Sequence, residues 1–219
     1  MTGKPRLFGA DYSVYVRIAR LALAEKAVEY ELVPVDIFSP DGPPDWYLER
    51  HPFRRIPAFE HDTVRLYETS AITRYVDEAF DGPALQPTDP AGRARMNQII
   101  GIIDAYAYRA MVWGIYVERV SKTRRGESSN EALIAASLKT AKTCLAALAA
   151  IKGDHPWLAA DRPTLADLYA APVFAYFLNA PEGRDLFDRF PALAGWWSGI
   201  SKRSSFAATE PVSRSAPAS

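Results

Sequence analysis

The sequence predicts an α/β domain followed by an all-α domain. Three observations predict this. Strand-like and helix-like periods alternate over residues 1–80. Residues 81–90 carry Gly82, Pro83, Pro87 and Pro90 and read as a linker. Beyond the linker only the helical period recurs, so residues 91–209 read as a helical domain and 210–219 as a flexible tail.

The elements follow in order. Arg6–Ala10 is a short apolar strand and Asp11–Ser13 a turn. From Tyr15 to Ala27 the apolar residues Ile18, Leu21, Ala22 and Leu23 form one broad helical face. Val28–Val35 alternates as a strand, and Pro34, which cannot donate to a ladder, places that strand at a sheet edge. Strand, helix, strand at this spacing is a right-handed βαβ unit with parallel strands. Phe38–Trp46 is proline-rich and irregular, and Asp45–Arg50 suits one helical turn. Ala58–Glu60 and Thr63–Tyr67 are two extended runs joined at His61-Asp62. At Glu68-Thr69-Ser70 the period switches to helical. In the second domain a long helix spans Gly92–Val120, with Gly101 and Gly114 marking close contacts or a bend. Lys122–Asn130 is a polar loop, and Glu131–Lys152 a helix ended by Gly153. Thr164 and Asp167 open the next helix as a capping box, and Pro191 suits the first turn of the helix after it.

Composition narrows the function classes. Lys plus Arg and Asp plus Glu both count 26, which argues against nucleic-acid binding by bulk charge. No apolar run approaches the roughly 20 residues of a membrane span, so no membrane partner is expected. The N-terminal run MTGKPRLFGADYS lacks the apolar core of a signal peptide. Cys144 is the one cysteine, so no intrachain disulfide is possible, and a reducing, cytoplasmic setting is expected. His51, His61 and His155 are scattered, and no metal site is expected.

Two places carry candidate chemistry. Ser13 stands where the first strand hands over to the first helix, a position favourable to negative charge and also the ordinary place for a capping serine. The junction Glu68-Thr69-Ser70 combines free helix N–H groups, which accept an anion, with an acid able to hold an ammonium. Carboxylate and ammonium side by side describe an amino-acid head group.

The run His51-Pro52-Phe53-Arg54-Arg55-Ile56-Pro57, followed by Leu66-Tyr67-Glu68-Thr69-Ser70-Ala71-Ile72, resembles the glutathione-binding half of glutathione transferases, whose usual form is N-P-x-x-x-V-P then L-x-E-S-x-A-I. Ser13-Val14-Tyr15-Val16-Arg17 is similar to S-P-Y-V-R of the serine-type members, of phi or theta-like form. Together the resemblance spans about Lys4 to Thr209. It implies a thioredoxin-like first domain, in agreement with the β-α-β-(α)-β-β-α order, and a helical-bundle second domain. It further implies a detoxifying enzyme that joins the thiolate of glutathione to a small hydrophobic electrophile, with glutathione as co-substrate and a homodimer as the assembly. By the same resemblance Ser13 is the catalytic residue, with Tyr12 as competitor or pocket neighbour. Arg55, Ile56, Pro57, Glu68, Thr69 and Ser70 hold glutathione, the Ile56-Pro57 bond being cis. Tyr106, Arg109, Ala110 and Trp113, spaced on one helical face, are candidates for the electrophile site. Phe53 and Arg74 are candidates for the dimer interface. A glutathione-dependent peroxidase and a non-catalytic binding or regulatory protein of the same fold are the alternatives. There is no cysteine at position 13 and no C-x-x-C, which demotes thiol-transfer chemistry.

Overall fold

The computed structural model describes residues 3–40 and 42–212. They fall into two compact units. The first runs to Ala84 and takes up the chain again at Arg203; the second is Leu85–Lys202. The expected helical domain, 91–209, therefore gives its last segment to the first unit. Of the expected tail, residues 213–219 lie outside the described residues, and Glu210–Val212 are held by the first unit.

In the first unit β1 (Arg6–Phe8), α1 (Val14–Glu25), β2 (Glu31–Val33), α2 (Asp45–Leu48), β3 (Ala58–His61), β4 (Val64–Tyr67) and α3 (Thr69–Ala79) form a four-stranded sheet with helices. The strand order is β2-β1-β3-β4, with β1 and β2 parallel and the other pairs antiparallel. β2 thus lies at an edge, and it stops at Val33, one residue before Pro34. Leu7 and Phe59 on one face of the sheet are fully buried, as are Ile18, Leu21 and Leu23 of α1 and Ile72 and Val76 of α3, while Phe8, on the other face, packs against Trp46 and Tyr47 of α2. Removing such surface from water is the main stabilising term.

The last segment joins this unit through α10 (Ser204–Ala208). Arg203 pairs with Glu25 through two contacts, at 2.7 and 2.6 Å, and the Ser205 hydroxyl also donates to Glu25. Arg17 donates to the Phe206 carbonyl at 3.0 Å, with its guanidinium 4.2 Å from the centre of the Phe206 ring. Arg20 reaches the Thr209 carbonyl at 3.2 Å and the Tyr30 hydroxyl at 3.0 Å.

In the second unit α4 (Pro90–Ile102) runs directly into a wide π-helical segment, Ile103–Ser121, then the short α5 (Lys122–Arg124). Next come α6 (Glu131–Lys152), α7 (Leu165–Phe177), α8 (Pro181–Phe187) and α9 (Pro191–Ser201). The single long helix expected from the periodicity is thus α-helical only to Ile102. Gly114 touches α6 so closely that a Cβ there would lie 2.0 Å from Ser137 Oγ, whereas Gly101 faces open space and makes no such contact. The capping box at Thr164 forms, with Asp167 Oδ2 accepting the Thr164 N–H at 2.7 Å. By length and composition α6 passes as a membrane span, alone among the described helices, which corrects the expectation that no run comes near that length. In the fold Ile134, Ala141, Leu145 and Leu148 along it are buried.

Candidate functional site

Sheet register brings three chain segments to one end of the first unit. Phe8, the last residue of β1, is opposite Ala58, the first of β3, and Ala58 is opposite Tyr67, the last of β4. The turn leading to Ser13, the segment ending at Pro57 and the junction at Glu68 therefore emerge together. Gly9 allows the close approach: a Cβ there would lie 2.4 Å from Val16 Cγ2 in the first turn of α1 and 3.3 Å from Ile56 Cβ.

Ser13 is the N-cap of α1, in extended geometry, and its Oγ accepts from Val16 N at 3.4 Å. That contact uses a lone pair and leaves the hydroxyl proton to donate elsewhere. Tyr12 is differently engaged. Its hydroxyl donates to Asp36 Oδ1 at 3.1 Å, and its ring stacks on Phe38 at 6.2 Å. Asp36 also accepts the Phe38 N–H at 2.9 Å, so the residues after β2 fix the orientation of Tyr12.

The segment before β3 is built on Tyr47. The buried Tyr47 hydroxyl donates to the Arg55 carbonyl at 2.7 Å, and burial pushes the phenol pKa up, keeping it a donor. His51 N donates to the Tyr47 carbonyl at 3.1 Å and Arg54 N to the His51 carbonyl at 3.0 Å, with Arg54 in the left-handed region at φ 55°. The Ile56-Pro57 peptide bond is cis. Among the described residues neither the N–H nor the C=O of Ile56 has a hydrogen-bond partner, so that backbone edge is open. The Arg55 side chain is exposed and likewise unpaired.

Glu68 closes the site. It is exposed and held at φ 71°, a conformation rare for an L side chain and costly enough to mark functional positions. Its carbonyl accepts from Ala71 N and Ile72 N, both at 3.0 Å, which starts α3. The N–H groups of Thr69 and Ser70 have no partner among the described residues. Free N–H groups at a helix N-terminus next to an exposed carboxylate bind an anion and a cation side by side.

In the second unit Tyr106, Arg109, Ala110 and Trp113 of the π-helical segment line one open depression of about 330 Å³, with Leu133 and Ser137 of α6 as the opposite wall. Tyr106 is 59% and Trp113 43% exposed. Phe53 and Arg74 lie in the first unit. Phe53 is 66% exposed and meets His51 and Tyr67 edge-on, at 6.3 and 6.1 Å. Arg74 folds onto the Ser70 carbonyl at 2.9 Å. Among the described residues no three or more His, Cys, Asp or Glu side chains cluster as a metal site requires.

Sequence reasoning missed the residues that hold this site from behind. Asp36 carries no motif. The contact of Arg17 with Phe206 crosses 189 positions of the chain, and Val212 N donates to Asp11 Oδ2 at 3.1 Å across 201. No local pattern announces either.

Comparison with known proteins gives one result at every level. The family models "Glutathione S-transferase, N-terminal domain" and "Glutathione S-transferase, C-terminal domain" match residues 7–84 and 131–196. The chain is 28% identical over 214 residues to glutathione S-transferase F13 of Arabidopsis thaliana, covering 97% of each. Its fold is similar to the apo form of a glutathione S-transferase III, with TM-score 0.84, 25% identity and 96% and 98% of the two chains covered. It is also similar to maize glutathione S-transferase I in complex with an atrazine glutathione conjugate, with TM-score 0.80, 25% identity and coverage of 95% and 97%. Matched in both halves and aligned to such relatives over nearly its whole length, the chain belongs to the glutathione S-transferase family.

Proposed function

We propose that this chain binds glutathione at the sheet end of its first unit and transfers the thiolate to a small hydrophobic electrophile. The observation that carries the reading is the convergence there of three unmet hydrogen-bonding groups: the Ser13 hydroxyl, the open Ile56 backbone, and the Thr69 and Ser70 N–H groups beside Glu68. They match the three chemically distinct parts of the tripeptide. Glu68 holds the γ-glutamyl ammonium, and Thr69 and Ser70 hold its carboxylate. Ile56 pairs with the cysteinyl backbone as an added strand would, and Pro57 fixes that edge. Arg55 reaches the glycyl carboxylate. Ser13 then donates to the sulfur. A hydrogen bond to the charged form favours thiolate over thiol, and the thiolate is the nucleophile. It forms a carbon–sulfur bond as the electrophile's leaving group departs with the electron pair.

Tyr12, with its hydroxyl committed to Asp36, borders the site and does not activate the sulfur. Tyr106, Ala110 and Trp113 supply an apolar wall for the electrophile, and Arg109 adds a cationic group to it. The assembly is a homodimer, with Phe53 as an exposed aromatic knob and Arg74 as a second interface residue, in a cytoplasmic, reducing setting that suits the lone buried Cys144. A second reading is favoured by the exposure of Tyr106 and Trp113: the open depression on the π-helical segment receives Phe53 of a second copy.

Calorimetry with glutathione tests the binding assignment. One site per chain is expected, and Glu68→Gln weakens it roughly 10- to 100-fold, the worth of a charge-assisted hydrogen bond. A wild-type chain that does not bind glutathione overturns the reading.

A further inference from the structure

One peptide unit joins the Tyr47 hydroxyl to the open backbone edge of Ile56. The Arg55 carbonyl, which accepts from that hydroxyl at 2.7 Å, belongs to the same peptide bond as the Ile56 N–H. The cis bond is the next one, Ile56-Pro57, so the Arg55–Ile56 bond is trans. In a planar trans peptide the C=O and N–H point in opposite directions. A donor fixed on the carbonyl side therefore sets where the N–H points on the other. Among the described residues no other hydrogen bond reaches the backbone of Arg55 or Ile56, so this plane has one tether.

The tether is itself held on several sides. Tyr47 is fully buried, and its ring meets those of Phe8 at 6.4 Å, Trp46 at 5.9 Å and His51 at 6.4 Å. Tyr47 N donates to the Pro44 carbonyl at 2.9 Å, and the Tyr47 carbonyl accepts from Arg50 N at 2.9 Å and His51 N at 3.1 Å. Phe8 is the last residue of β1, so the hydroxyl is referenced to the sheet and not to the loop it anchors. A hydrogen bond accepted at the carbonyl also polarises the peptide unit and makes its N–H a better donor.

We infer that Tyr47 is a positioning residue for the cysteinyl part of glutathione: its hydroxyl aims the Ile56 N–H at the ligand from the far side of the peptide plane. The role rests on the binding reading above, in which Ile56 pairs with the cysteinyl backbone.

The probe is S-methylglutathione, which keeps the ammonium, both carboxylates and the cysteinyl backbone but has no thiol, so titration at sulfur does not enter. Its Kd is measured by calorimetry, and the Ile56, Thr69 and Ser70 amides are followed by NMR, for wild type and Tyr47→Phe. In the wild type all three amides shift on binding, and the Ile56 N–H becomes protected from exchange with water. Tyr47→Phe keeps the ring and loses only the donor. It binds roughly three- to tenfold more weakly, the worth of one neutral hydrogen bond. Its Ile56 shift shrinks, while Thr69 and Ser70 at saturation shift as in the wild type. Reduced global stability does not mimic this, because a chain that stays almost wholly folded keeps its Kd. para-Fluorophenylalanine at position 47 fills the space of the hydroxyl without donating, and gives the same result if the phenylalanine variant packs poorly. A variant with the wild-type Kd and the wild-type Ile56 shift overturns the role of Tyr47 alone. A variant whose Thr69 and Ser70 shifts shrink as much as that of Ile56 reports general distortion and also overturns it. A wild type whose Ile56 amide stays unmoved while Thr69 and Ser70 respond overturns the Ile56 pairing and this role with it. A wild type that does not bind the probe overturns the binding reading itself.

Discussion

Asp167 is fully buried in the second unit and accepts four hydrogen bonds. Leu158 N and Trp196 Nε1 reach Oδ1, both at 2.9 Å. Thr164 N and Thr164 Oγ1 reach Oδ2 at 2.7 and 2.9 Å. Burial pushes the carboxyl pKa up, and these four donors oppose it by favouring the charged form. One side chain thus ties the segment before α7, the start of α7 and the middle of α9. Asp167→Ala leaves three donors with no alternative, because the Thr164 hydroxyl can turn and the others cannot. At about 1–3 kcal/mol for each unmet buried donor, the loss is about 5 kcal/mol. That is comparable with the whole stability of many domains, about 5–15 kcal/mol. Asp167→Asn keeps one acceptor oxygen for Leu158 and Trp196 but sets an amide N–H₂ against the Thr164 N–H, so it costs about 2 kcal/mol. Urea unfolding followed by far-ultraviolet circular dichroism reads both. With a slope of about 2 kcal/mol/M, the midpoint falls by about 2 M or more for alanine and about 1 M for asparagine. A midpoint within about 0.3 M of wild type for Asp167→Ala, at unchanged slope, refutes the tie.

The strap from Arg203 to Val212 gives a pH-dependent prediction. Arg203 and Ser205 hold the Glu25 pKa below the ordinary carboxylate value, although burial alone raises it. A depressed carboxylate contributes stability above its unfolded pKa and loses it as pH falls through the folded value. Arg203→Met therefore costs about 2 kcal/mol at pH 7, discounted for the partly exposed arginine, and the deficit shrinks as unfolding is repeated toward pH 3.5. The dimer predictions separate the two readings of the depression. Sedimentation at low protein concentration shows Phe53→Ala dissociating toward monomer. If Trp113→Ala dissociates as well, the depression is the socket for the knob; if it stays dimeric and loses only electrophile binding, the depression is the electrophile wall.

Local chemistry made much of this molecule readable in advance. The change of period at Glu68-Thr69-Ser70, the proline after Ile56 and the Thr164/Asp167 pair each act within a few residues, and each stands in the fold where its chemistry requires. The relation of Ser13 to Ile56 and Glu68 was readable only through the resemblance, because it is made by strand pairing between residues some 50 apart. The π-helical geometry of Ile103–Ser121 was hidden, since a modest widening of the turn leaves an apolar pattern that still reads as α-helix. The return of Arg203–Val212 to the first unit was equally hidden. Its anchors, Arg17, Arg20 and Glu25, look from sequence like the polar side of an ordinary helix, and their partners lie some 180 residues away.

The role of Ser13 is tested most directly by the ultraviolet absorbance of glutathione bound to the protein, titrated from pH 5 to pH 9 for wild type and Ser13→Ala. The donated hydrogen bond lowers the thiol pKa from its ordinary value of about 8.5 by about 1–2 units in the wild type, so thiolate absorbs near neutrality. Ser13→Ala still binds glutathione, through Ile56, Glu68, Thr69 and Ser70, but its thiolate appears only at the pH expected of a free thiol. A variant that titrates like wild type would contradict the assignment and leave Ser13 as a helix cap.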